Sequence, residues 1–266
     1  TYVSTGTRSG SSIMRRIYIV TEGPHDVEAL GRLLSTQGAK RVQIFSELDL
    51  FWARLVPRTF PYEGDLLRRV PVPMFFQAEK FSVAVQSAIG ISKIPNVTRA
   101  SLAALDELPA AVGVVVDADA RSALDVWQEI TTEMSEFEFG EGPGQHGLSE
   151  PRAGVFVLPN NYDTGTLETI LLKCGEQVYP GLIAGARAWI DPLDPDDRAI
   201  FVNSKEGRDL AKPAGKVKAV VAAVASVLRP GKSIQVSIQD NRWLSDHEAT
   251  PEVTALQAFV SGLIQD

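Results

Sequence analysis

The sequence predicts an α/β protein with a mainly parallel central sheet flanked by helices, and three observations predict it. Compact apolar runs suited to buried strands occur at "RIYIVT" (16–21), "AVGVVV" (111–116) and "GVFVLP" (154–159). Each run leads on to a stretch with the apolar spacing of a helix. This alternation is what a parallel sheet needs, because every parallel strand must be reached by a crossover.

Taken in order, the first strand ends in "TEGPHD". There Gly23 allows a tight turn and Pro24 takes the first helical position, whose N–H would lack a helical partner anyway. A helix to about Gln37 follows, stopped by Gly38, and "RVQIF" (41–45) is a second strand candidate. From about 47 to 96, prolines punctuate aromatic and basic residues, which predicts an insertion carrying one short helix near 79–89. "TRASLAALDEL" (98–108) has helical spacing and precedes the strand "AVGVVV". A helix near 122–135, a Gly/Glu-rich loop over 136–153 and the strand at 154–159 come next, then a helix over "GTLETILLKCG" with Gly175 as its stop. Beyond 203 the pattern predicts a long helix, "AGKVKAVVAAVASVL", a short strand, "SIQVSI", and a final amphipathic helix, "PEVTALQAFVSGLI". The expected organisation is a flexible tail over 1–14 and one α/β domain over 15–266, with the insertion and a C-terminal extension from about 203.

At 266 residues and 44% apolar composition the chain can bury a core without cross-links. Its one cysteine, Cys174, excludes an internal disulfide and suits a reducing compartment, so a cytoplasmic location is expected. No apolar run approaches the roughly 20 residues of a membrane span, and the opening residues lack a signal-peptide core. A formal net charge of −7 argues against coating nucleic acid by bulk charge, but leaves room for a local basic groove.

Chemistry in a parallel sheet gathers beyond the carboxyl ends of its strands, and three of the expected strands lead into acids there. The first delivers Glu22, with Asp26 one helical turn on; the second delivers Asp117 and Asp119; the third is followed by Glu168 at a helix start. A period of two would put Asp117 and Asp119 on one face, so that both reach one cation. Hard oxygen donors without His or Cys company suit Mg²⁺ or Mn²⁺ rather than Zn²⁺. Such ions polarise phosphoryl oxygens and prepare a water nucleophile, which describes phosphodiester hydrolysis. Plainer roles exist: Asp26 and Glu168 also complement helix dipoles, and acids at strand ends often just turn into solvent.

The apolar strand, "EGPHD", a helix and, much later, "VVVDADA" resemble the Toprim domain of topoisomerases, DnaG-type primases, RecR-type repair proteins and OLD nucleases. "VFVLPNNYDTGTLETILL" and the C-terminal "AGKVKAVVAAVASV" and "DNRWLSDH" resemble small stand-alone bacterial Toprim-like proteins of unassigned function. The resemblance implies a Rossmann-like Toprim fold. It implies Glu22 as metal ligand or general acid/base, Asp117 and Asp119 as the metal-binding pair, and Asp26 and Glu168 as further ligands in an OLD-type nuclease. It also implies a catalytic lysine late in the chain, for which Lys216 is the nearest candidate, with Lys212 and Lys218 close by.

A polyanion has two places to lie. Residues 203–232 carry a local surplus of cations in which Lys205, Arg208, Lys212 and Lys218 are candidate phosphate contacts, although a solvated helix face has the same look. The insertion sets Arg54, Arg58, Arg68 and Arg69 among Phe51, Trp52, Phe60 and Tyr62, a mixture suited to single strands or simply to packing. "RPGKS" (229–233) lacks the first glycine of a phosphate loop and follows a helix, so no nucleotide-hydrolysing engine is expected. The expected function is a Mg²⁺- or Mn²⁺-dependent nuclease, DNA ahead of RNA, in a defence or repair setting. Two alternatives stand beside it: a catalytically weak module binding nucleic acid or a partner ATPase, and a haloacid-dehalogenase-like phosphatase using the "DAD" strand.

Overall fold

The computed structural model describes residues 14–59, 72–203, 205–244 and 250–265. The expected tail over 1–14, save its last residue, lies outside these, as do Phe60, Tyr62, Arg68 and Arg69 of the insertion.

A six-stranded sheet runs in the order β2-β3-β4-β1-β5-β6. Its strands are β1 (Arg15–Thr21), β2 (Lys40–Arg41), β3 (Met74–Gln77), β4 (Phe81–Ser87), β5 (Ala111–Asp117) and β6 (Arg152–Leu158). β4, β1, β5 and β6 are mutually parallel, whereas β3 is antiparallel to β4 and β2 to β3. The helices are α1 (Pro24–Thr36), α2 (Ile94–Ala104), α3 (Ala123–Glu133), α4 (Leu167–Val178), α5 (Pro180–Ile190), α6 (Gly215–Leu228), α7 (Ile234–Asp240) and α8 (Pro251–Ile264).

Strand alternation sorts the core into two layers. Ile17, Ile19, Val83, Val85 and Val115 pack with apolar residues of α1, α4, α6, α7 and α8. Tyr18, Val20, Ala84, Val114 and Val116 pack with α2, α3 and Trp52 on the other face. The segment beyond 203 is thus part of one helical layer, with α8 against β1, β5 and β6 and α7 against α1. From β1 the chain crosses by α1 to β2 at one edge and returns through β3 to β4 beside β1, then crosses by α2, on the opposite face, to β5 on the other side of β1. The crevice between the carboxyl ends of β1 and β5 is therefore the switch point, where open α/β sheets bind ligands.

Four local expectations change. The helix expected near 79–89 is strand β4, inserted between β1 and β3; its polar Ser82 and Gln86 are buried because Ser82 bonds Trp52 Nε1 and Asp49, and Gln86 bonds Tyr18 and Ser101. "SIQVSI" is helix α7: Ile234, Val236 and Ile238 alternate, but Ile234 and Ile238 are also one helical turn apart, and that spacing serves the packing on α1 and α6. Of "RVQIF" only Arg41 is in a strand, the edge pair Lys40–Arg41, before the chain turns into a short 3₁₀ segment at Phe45–Glu47. Gly175 lies inside α4, where a Cβ would stand 2.9 Å from Trp243 Cζ3; close helix packing, not helix termination, requires glycine there.

Trp52 is fully buried and its indole N–H donates to Ser82. Phe51 meets it edge-on, and Arg54 pairs with Asp106 at 2.7 Å, so this part of the insertion is packed rather than offered for stacking. Trp52→Ala is expected to cost about 3–5 kcal/mol, read as a lowered midpoint in chemical denaturation.

Candidate functional site

Glu22 follows β1 directly, and Asp117 is the last residue of β5, so the switch-point crevice begins between two carboxylates. Asp26 stands in the first turn of α1, and its Oδ2 accepts the Gly23 N–H at 2.8 Å, closing the helix start. Glu168 stands in the first turn of α4, where Thr166 Oγ1 donates to Oε2 at 2.9 Å and His25 Nδ1 lies 3.3 Å from Oε1. The Leu167 N–H, also at the start of α4, donates to Asp117 Oδ1 at 2.9 Å. Each of two helix N-termini thus gives a backbone N–H to one acid of the group, Asp26 at α1 and Asp117 at α4.

Asp119 is placed differently from the expectation. Its φ of 52° breaks the extended period of two, so it does not share a strand face with Asp117. A two-way backbone bridge to Gly165, with both N···O distances 2.8 Å, holds it instead, and its exposed side chain reaches a cleft shared with Glu22. Gly165 has φ 143°, and a Cβ there would stand 2.8 Å from Thr169 Oγ1. Gly165→Ala is expected to cost roughly 1–3 kcal/mol and to shift the Asp119 loop, seen as a lower melting temperature with changed amide signals at 118–120. Among the described residues the non-glycine positions with left-handed backbone are Ile89, Asp119 and Asn161. They lie in the loops after β4, β5 and β6, so backbone strain collects along the edge that carries the acids.

The electrostatics register the crowding. Burial raises the Asp26 carboxyl to about 7, despite the Gly23 N–H, with Glu168 and Glu22 adding to the rise. Burial, then Asp26, Glu168 and Glu22, hold Asp117 well above the usual carboxylate range. Glu22 is raised by burial and by Asp119, against Lys218 and a backbone hydrogen bond to Asp117. Burial would also raise Glu168, but His25, Lys218 and Thr166 outweigh it and hold that carboxyl low. For Lys218, Glu168, Asp117, Asp119 and Glu22 overcome partial burial and raise the ammonium above its ordinary value.

Lys218, not Lys216, is the lysine among the acids. Lys216 Nζ donates to the Asp191 carbonyl at 2.6 Å, on another face of α6. Lys212 pairs with Asp209 at 2.6 Å on the cleft wall, whereas Lys205 and Arg208 are exposed in the loop before α6 and do not line the cleft. His25 joins the cluster through Glu168. The all-oxygen donor set suits a hard divalent cation, whose charge would offset the burial and the mutual repulsion that raise Asp26 and Asp117. Among the described residues no three Asp, Glu, His or Cys side chains already surround one point as a finished metal site, so a cation would have to draw them inward.

A family model described as "Protein of unknown function (DUF3226)" matches residues 17–263. The chain is similar to a hypothetical protein, PH0156, from Pyrococcus horikoshii OT3, whose crystal structure aligns with TM-score 0.55 and 19% identity over 94% of this chain and 95% of that one. That likeness bears on the fold alone. No curated protein matches.

Proposed function

Since the chain belongs to the DUF3226 family, whose description assigns no activity, function has to come from the site, and we propose a Toprim-type, Mg²⁺- or Mn²⁺-dependent hydrolase of nucleic-acid phosphodiesters. One observation carries the reading: Glu22, Asp26, Asp117 and Glu168, from the end of β1 and from α1, β5 and α4, gather at the switch point, with Asp119 and Lys218 lining the cleft beside Glu22. A cation bound by Asp117, Asp119 and Glu22, with Asp26 and Glu168 behind them, would supply Lewis-acid stabilisation of charge developing on a phosphoryl group.

The remaining work falls to the chain's own groups. Lys218 offsets negative charge at the mouth and is suited to meet a phosphate oxygen. Glu22, through the carboxylate oxygen that a cation would leave free, is suited to take a proton from an attacking water. The Thr166 hydroxyl and His25 fix the Glu168 carboxylate, and the Leu167 N–H fixes that of Asp117. Lys218→Ala is expected to lower cleavage about 10²-fold and Lys216→Ala less than about threefold, by initial rates on one substrate.

The reading is tested by incubating the protein with plasmid, single-stranded DNA and RNA in Mg²⁺, Mn²⁺ or EDTA; cleavage must need the cation. A second reading, a binding module without turnover that engages nucleic acid or a partner ATPase, is favoured by the lack of a finished three-ligand site among the described residues. Cation-dependent binding without cleavage would select it.

A further inference from the structure

A cleft of about 800 Å³ opens directly beside Glu22 and Asp119. The rest of its lining sets apolar side chains beside one exposed ion pair, Asp209 with Lys212. Leu210, Pro213 and Ile234 supply apolar wall, and α6 adds two short side chains, Ala219 next to Lys218 and Ala222 one turn beyond it. Carboxylates and an ammonium thus share one cleft with apolar surface. The volume falls within the range of small-ligand sites, which suits a single nucleotide unit rather than a stretch of duplex.

The geometry points to one unpaired nucleoside phosphate unit as the occupant of this cleft, its phosphate at Lys218 and the carboxylates, its base against Leu210, Pro213, Ala222 and Ile234. This rests on the phosphodiesterase reading and sharpens it: the substrate is a single strand or a free strand end, admitted one nucleotide at a time. Bulk charge does not select such a ligand, because Lys212, the other lysine of the wall, is already paired with Asp209. Selection comes from shape and from the apolar wall, which receives any base face without reading its edge. Ala222 is half-buried and lines the cleft, so a larger side chain there would occupy its space.

The test uses the full chain and its Ala222→Phe variant, with folding checked by thermal melting. Cleavage of a single-stranded oligonucleotide is compared with that of a covalently closed relaxed duplex circle, and binding of AMP with that of inorganic phosphate, in Mn²⁺ and in Ca²⁺. The expected results are single-strand cleavage at least tenfold faster than circle cleavage, AMP bound at least tenfold tighter than phosphate, and both advantages lost in Ala222→Phe while phosphate binding persists. Tight AMP binding with no oligonucleotide cleavage would identify a free nucleotide as the ligand and overturn the nuclease reading alone. Equal cleavage of circle and single strand, or AMP binding no tighter than phosphate, would overturn the inference and leave the nuclease reading standing. If Ala222→Phe does not fold, Leu210→Ala, which removes part of the wall from a partly exposed loop, must weaken AMP at least threefold and leave phosphate unchanged.

Discussion

Asp117→Asn is expected to lower cation-dependent cleavage by roughly three orders of magnitude, about 4 kcal/mol of transition-state stabilisation. The substitution is nearly isosteric, and its amide oxygen can still accept the Leu167 N–H, so the join between β5 and α4 persists. What disappears is a negative charge in the middle of the cluster, coupled to Asp26, Glu168 and Glu22. Removing it relieves repulsion, so the variant should be at least as stable as the parent without cation, yet bind Mn²⁺ far more weakly. Loss of activity combined with retained or raised melting temperature separates this account from simple unfolding. A variant cleaving within about threefold of the parent would contradict it.

The second large effect concerns pH. Without a divalent cation, stability should fall as pH rises from about 4 to about 7, and stay low above that. An unfolded aspartate titrates near ~3.9, whereas folded Asp26 titrates at about 7 and Asp117 lies well above its ordinary value. Between those limits the folded state holds more protons than the unfolded one, so the unfolding free energy declines with pH. Glu168 acts in the opposite sense: held low by His25, Lys218 and Thr166, it stabilises above the ordinary glutamate range, and that contribution disappears only in stronger acid. With Asp26 raised from near ~3.9 to about 7, the decline should be on the order of 4 kcal/mol. Millimolar Mg²⁺ or Mn²⁺ at pH 8 should restore it by binding only the folded cluster. Asp26→Asn, which can still accept the Gly23 N–H, should flatten the profile; urea midpoints from pH 4 to 9 that coincide with the parent's would reject this.

Much of this arrangement was legible in the residues themselves. β1, β5 and β6 are buried on both faces, so their apolar runs stand out against any background, and Pro24 and Pro251 mark where α1 and α8 begin. β4 was hidden because a buried strand carrying Ser82 and Gln86 looks polar until their partners, Trp52, Asp49, Tyr18 and Ser101, are in place. α5 went unread, its "PGLIAGARAWI" lying between a glycine-containing helix and a run of acidic turns.

At the site, the acids were legible by their order along the chain, but their geometry was not. Lys216 and Lys218 differ by about 200° around a helix, so being two residues away puts a lysine on the opposite side. Only the packing of α6 decides which one faces the sheet. Asp119 reaches the cleft through its bridge to Gly165, a pairing between residues far apart in sequence that no local period encodes. The apolar wall of the cleft was equally invisible, since Leu210, Ala222 and Ile234 come from a loop and two helices.

The central claim is that acids from separate strands serve one divalent ion, and the most direct measurement is anomalous X-ray scattering from crystals of this protein soaked in Mn²⁺. The account predicts a Mn²⁺ peak within about 2.0–2.6 Å of oxygens from Asp117 and at least one of Glu22 and Asp119. Occupied manganese elsewhere, with these carboxylates left uncoordinated, would contradict it.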